Sequence, residues 1–286
     1  MENPSIKIII IKDLMSEKDV IEKSSKPQTV KTLVKDIKNI GVSKGMVLLV
    51  HSSLSSLGWV CGGAVAVILA LEEVLGREGT LIMPAHSGDL SDPAKWENPP
   101  VPIDWCEEIR KTMPAFGQEF TPTRGVGVIP EIFRKQKGVL RSDHPQVSFT
   151  AYGKHAEYIT GEHGLEYAFG EKSPLAKIYE LEGHVLLLGV GQINNTSIHL
   201  AEYRADYISK EEEVYGAPII VSGKRKWVDI KDIKSNTDDF EDIGSAFSKS
   251  SDTSIIEAEI GQARSQLFRQ KDLVDFAANW MEANRK

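Results

Sequence analysis

Three short apolar runs constrain this chain most: Met46–Val50, Gly79–Pro84 and Val185–Leu188, the last bounded by Gly183 and Gly189. None alternates apolar with polar residues, so each reads as a strand covered on both faces. Such strands need helices on both sides of the sheet. The intervening sequence supplies candidates. Gln28–Ile40 carries apolar residues at Val30, Leu33, Val34, Ile37 and Ile40 and is ended by Gly41, and AVAVILALEEVLG follows the first buried run. Strands alternating with helices predict an α/β fold with a mostly parallel central sheet flanked by helices. A hairpin turning at Ser222–Gly223 predicts an antiparallel extension. Further strand and helix are expected at Val147–Ala151 and Lys154–Ile159, an acidic polar segment at 237–254, and helical pieces over 257–284. Residues 1–26 read as a lead-in, with a short strand and polar stretch over 5–25, and 27–286 as one domain. No internal repeat is present.

At 286 residues the chain can bury a substantial core, and its net charge of −7 argues against nucleic acid or an anionic membrane as the main partner. No run approaches the roughly 20 apolar residues of a membrane span. The start, with only Ile8–Ile11 apolar, lacks a signal-peptide pattern, so a cytoplasmic protein is expected. Cys61 and Cys106 are too few for a disulfide framework or a structural zinc site and read as small hydrophobes. No histidine pair has metal-ligand spacing such as HExxH, so no metal site is expected.

The chemistry concentrates in residues 183–202, GHVLLLGVGQINNTSIHLAE: a buried strand, a glycine turn and the start of a helix. With Asn194, Asn195, Thr196 or Ser197 as N-cap, His199 falls in the first turn and Glu202 about one turn later on the same face. The positive end of the helix dipole favours a neutral imidazole, the form a general base requires. A partly buried structural histidine beside a solvated glutamate is the competing reading. Residues 51–63, HSSLSSLGWVCGG, give a strand, a Ser/Gly-rich loop and a helix start, a layout that presents amides and hydroxyls to an anion. The glycine spacing is neither that of a P-loop nor of a dinucleotide fingerprint. After Pro84 a long proline-rich loop carries Asp89, Asp92, Glu97 and Asp104, the composition of a binding loop or lid. His51 reads as a structural residue closing its strand and His144 as fixing the turn before Pro145; His163 stands on a loop with no supporting pattern.

Taken together, LLVHSSLSSLG, GTLIMPAHS, RSDHPQVSF, KSPLAKIYELEGHVLLLGVG and NTSIHLAE resemble the aminoglycoside 3-N-acetyltransferase family over roughly residues 28–280. The resemblance implies the antibiotic N-acetyltransferase fold, distinct from that of GNAT enzymes, and transfer of acetyl from acetyl-CoA to an aminoglycoside amine. It implies Ser52 and Ser53 as CoA phosphate contacts, with Ser173, Asn195 and Thr196 also on the CoA side. It makes His199 the catalytic base, oriented by Glu202 or Asp232. It places Asp232 toward the amine substrate, and Asp89 of the acidic loop is a second candidate for that side. A homodimer is compatible with a chain of this size. Lys234 and Ile193 depart from the family's acidic pattern, which opens the acceptor to amines other than the polycationic drugs. Two other classes compete. A serine hydrolase using Ser52 or Ser53 with His199 lacks the G-x-S-x-G elbow. A CoA-binding module without transfer activity keeps the fold only.

Overall fold

The computed structural model describes residues 16–250 and 254–286. Within the described residues nine strands form two sheets: β1 (Val47–Ser52), β2 (Thr80–Pro84), β3 (Leu140–Arg141), β4 (Phe149–Gly153), β5 (His184–Leu188), β6 (Glu212–Val221), β7 (Lys224–Ile233), β8 (Ile256–Ile260) and β9 (Ala263–Arg269). The large sheet runs β3-β4-β2-β1-β5-β9-β8, and β6 pairs with β7 alone. β1 is parallel to both β2 and β5, and every other pairing is antiparallel. Because β3 and β8 each lie two antiparallel steps from this trio, five of the seven strands point the same way.

The continuous apolar runs are two-sided, and successive residues enter different cores. Leu48, Val50, Leu186 and Leu188 pack with the helices Val30–Asn39 and Gly63–Leu75, while Leu49, Val185 and Leu187 pack with Ser197–Arg204 and Gln270–Asn284. β1 is where strand order reverses, with β2 on one side and β5 on the other, so the crevice beyond the ends of β1 and β5 is the natural ligand position.

Four local expectations change. Most of residues 5–25 lie outside the described residues, but Glu17–Lys23 is a helix with a Ser16 capping box. It is held to the serine loop by Trp59 Nε1 donating to Glu17 and Trp59 N to Ser24 Oγ. The 257–284 stretch contains the β8–β9 hairpin, turning at Gly261 with φ +61°, before a single helix. The acidic 237–254 segment contains the helix Phe240–Lys249, whose Phe240, Ile243 and Phe247 form one buried stripe. The antiparallel extension lies on both edges of the main sheet, because the Ser222–Gly223 hairpin forms its own sheet. Cys106 is buried but Cys61 is exposed. No described helix is long and apolar enough to cross a membrane.

Candidate active site

β5 ends at Leu188, and Gly189, at φ +70°, turns the chain beneath the serine loop, where Ser56 Oγ donates to its carbonyl at 3.1 Å. A short 3₁₀ turn then leads into the helix Ser197–Arg204. Asn195 is wholly buried and ties this junction, donating to Gln192 at 2.8 Å and accepting from Ser197 N at 3.2 Å.

His199 is held by two aromatic rings and a carboxylate. Its ring stacks on Phe169, with centroids 4.7 Å apart and planes 4° from parallel, and meets Phe240 edge-on at 4.9 Å. Nδ1 lies 2.6 Å from Oε2 of Glu202. A carboxylate can only accept, so Nδ1 carries a hydrogen, and in the neutral imidazole the lone pair is then on Nε2. Glu202 is itself wholly buried, and its other oxygen accepts from Arg285 Nη1 at 2.7 Å and Asn236 N at 2.9 Å. Arg285 continues the chain to Asp239 through two bonds of 2.7 Å and lies over the Tyr207 ring. A cation behind the carboxylate offsets its burial, which a buried charge requires.

His199 opens onto a cavity of about 900 Å³ bordered by Ser52–Ser55, His86, Gly125–Val128, Phe169 and Thr196. β1 and β5 bring the two halves together: Ser52 is in register with Leu188, and Ser53 N donates to Leu188 O at 3.0 Å. Among the described residues Ser52 Oγ is buried with no hydrogen-bond partner, whereas Ser53 Oγ accepts from Ser56 Oγ at 2.9 Å. Gly63, the first residue of the 13-residue helix after the loop, also lines the cavity, so that helix's N-terminus faces it. His51 is buried beneath, 3.4 Å from Thr196 Oγ1, and burial, reinforced by the nearby His199 ring, lowers its pKa to about 3. Among the described residues no group of three or more His, Cys, Asp or Glu could hold a metal ion.

The other expected residues lie elsewhere. Asp232 is buried, and its oxygens accept from Tyr203 Oη, Tyr215 Oη, Ala168 N and Ile233 N. Four donors fill a carboxylate's capacity, so Asp232 orients the segment before Phe169 rather than His199 or a substrate cation. Ser173 is a buried N-cap accepting from Ala176 N, away from the cavity lining. Asp89 is exposed and paired with Arg124 at 2.7 Å. Lys234 is exposed beside Glu211, and Ile193 lines the cavity. His144 fixes the turn after it, its Nδ1 accepting from Gln146 N and Val147 N; His163 bridges Ser142 and the Ala168 carbonyl. Sequence reasoning missed Arg285, Asn236, Phe169 and Phe240, none of which carries a local signal. It also missed His86, two residues past the buried strand β2.

Comparison with known proteins adds the family. Residues 49–282 match the model described as Aminoglycoside 3-N-acetyltransferase. The chain is 46% identical over 268 residues, 93% of its length and 97% of the relative's, to the SPbeta prophage-derived aminoglycoside N(3')-acetyltransferase-like protein YokD of Bacillus subtilis. The crystal structure of that protein superposes with a TM-score of 0.91, covering 93% of this chain and 98% of that one. The structure of AAC-IIIb with CoASH superposes at 0.80, with 30% identity and coverage of 91% and 98%; that of AAC-VIa bound to sisomicin superposes at 0.81, with 28% identity and coverage of 91% and 99%. The chain belongs to the aminoglycoside 3-N-acetyltransferase family.

Proposed function

We propose that this chain transfers acetyl directly from acetyl-CoA to a primary amine, with His199 as general base. The observation that carries this is the His199–Glu202–Arg285 relay, which leaves His199 Nε2 without a hydrogen-bond partner among the described residues. The relay opens onto the cavity beside the serine loop. As the amine nitrogen attacks the thioester carbon, the C–N bond forms and Nε2 takes a proton from that nitrogen. Glu202 balances the imidazolium that develops, and Arg285 holds Glu202 in place. The imidazolium then returns the proton to the departing thiolate as the C–S bond breaks, so no acyl-enzyme forms. General-base help of this kind contributes about 10²–10⁴-fold.

Ser52 and Ser53 are proposed to contact CoA. The unpartnered Ser52 hydroxyl supports this, because a buried hydroxyl without a partner costs about 1–3 kcal/mol unless a ligand satisfies it. Thr196 borders the same space, while Asn195 acts by fixing the turn. The CoASH complex of AAC-IIIb and the sisomicin complex of AAC-VIa support a CoA donor and an aminoglycoside-type acceptor. The acceptor class stays wider than those drugs, because Asp89 and Asp232 are already engaged within the chain.

Thiol release from acetyl-CoA, measured against a panel of aminoglycosides and simpler amines, tests the proposal. His199→Ala should lower turnover by at least about 10²-fold and leave CoA affinity within about threefold of the parent. Turnover unchanged in that variant removes His199 from the base role. Thiol release without any amine would favour a hydrolase instead.

A further inference from the structure

The cavity holds a second imidazole that the relay does not use. His86 lies just beyond β2, and its Nε2 is buried without a hydrogen-bond partner among the described residues, while the ring lines the cavity with His199. The ring is fixed by packing: it meets Phe149 edge-on at 5.4 Å and lies 5.7 Å from Phe169, whose ring is stacked on His199. The His86 carbonyl accepts from Arg124 N at 2.8 Å, so its backbone is fixed as well. A rigid ring with a desolvated, unsatisfied nitrogen is costly in a protein interior unless a ligand completes it.

Strand order says which ligand. β2 and β5 flank β1 on opposite sides, so His86 reaches the cavity from the side opposite the Gly189–Thr196 turn, with the serine loop between them. If the serine loop carries the thioester, the flank at His86 is left for the amine. We infer that His86 is an acceptor-binding residue, hydrogen-bonding the amine substrate at or beside the reacting nitrogen and so directing its lone pair at the thioester carbon. The inference rests on the transfer reaction proposed above.

Burial, reinforced by nearby His51 and His199, lowers the His86 pKa to about 3, so the ring is neutral at working pH. It recognises the substrate through a hydrogen bond at Nε2, donated or accepted according to the tautomer, not through charge. The acceptor class that fits is a primary amine on a framework rich in hydrogen-bonding N–H and O–H groups, polycationic or not.

Two variants separate binding from packing. His86→Phe keeps a ring against Phe149 and Phe169 and removes the polar atoms, whereas His86→Gln restores an amide. With the amine that the parent enzyme turns over best, His86→Phe should raise the acceptor KM about 3- to 10-fold, with the acetyl-CoA KM and the melting temperature unchanged. His86→Gln should recover most of that loss. An acceptor KM unmoved in His86→Phe, a parallel rise in the acetyl-CoA KM, or a fall in kcat alone would each overturn the assignment. Calorimetric binding of the same amines to the CoA-loaded protein reads the contact without turnover. A parent protein that binds an amine but releases no thiol would therefore refute the transfer reaction, while weaker amine binding in His86→Phe would still support the contact. Should His86→Phe lose its cooperative melt, His86→Leu carries the same comparison.

Discussion

Replacing Glu202 with Gln tests the relay most directly. Glu202 accepts three hydrogen bonds, from His199 Nδ1 at 2.6 Å, Arg285 Nη1 at 2.7 Å and Asn236 N at 2.9 Å. A glutamine amide cannot serve both sides. With its oxygen toward His199, its NH₂ group faces the donors of Arg285 and Asn236. Turned round, its NH₂ meets the His199 Nδ1 hydrogen and drives the imidazole toward the tautomer protonated at Nε2, which cannot act as a base. The electrostatic loss can be bounded. Two unit charges 4 Å apart at an effective dielectric of about 20 interact by about 4 kcal/mol. Arg285 opposes part of that attraction, so about 2–3 kcal/mol of imidazolium stabilisation should disappear, an expected fall in kcat of about 30- to 150-fold. Stability should drop by about 1–3 kcal/mol, the cost of an unsatisfied buried group. It should not reach the ~3–5 kcal/mol of a fully stripped ion, because Arg285 keeps Asp239. Thiol-release kinetics at saturating substrates, with calorimetric CoA binding and a thermal melt as controls, measure all three. A kcat within threefold of the parent, in a folded variant that binds CoA normally, would refute the relay.

Stability should fall in acid. His51, His86 and His163 have pKa values lowered to about 3 and His144 to about 4, mainly by burial, so all four fold neutral and charge on unfolding. Their contribution is complete above the unfolded value of about 6.5 and is lost as pH falls toward the folded values, at up to about 1.4 kcal/mol per pH unit for each histidine. A melting temperature flat from pH 7 to 4.5 would contradict this. Gly189→Ala should destabilise by about 2–4 kcal/mol. The residue has φ +70°, and a Cβ there would lie 2.7 Å from that of Ser56 and 2.9 Å from that of Ala263. Denaturant unfolding at an unchanged midpoint would show that the turn relaxes. Ser52→Val should weaken CoA binding about 3- to 10-fold with little loss of stability, because its hydroxyl has no partner among the described residues. Equal CoA affinity by calorimetry would remove Ser52 from the donor site.

The chain itself determined its parallel core. Runs such as Val47–Val50 and Val185–Leu188 have no polar face to offer water, so only a sheet covered on both sides can hold them, and Gly189 marks where β5 must turn. The pairing of His199 with Glu202 was legible for the same local reason, since residues three apart on a helix share a face. Tertiary structure decided the rest. Asp232 and Glu202 are both acidic residues near candidate elements, and nothing local distinguishes them. Folding surrounds Asp232 with tyrosines and amides and sets Glu202 against the imidazole, 83 residues from the arginine that completes it. Phe169 and Phe240 clamp the same ring from separate segments, and His86 reaches the cavity only because β2 pairs beside β1. Periodicity records which face of an element is buried. Which partners meet there depends on long-range packing, which no short window of sequence contains.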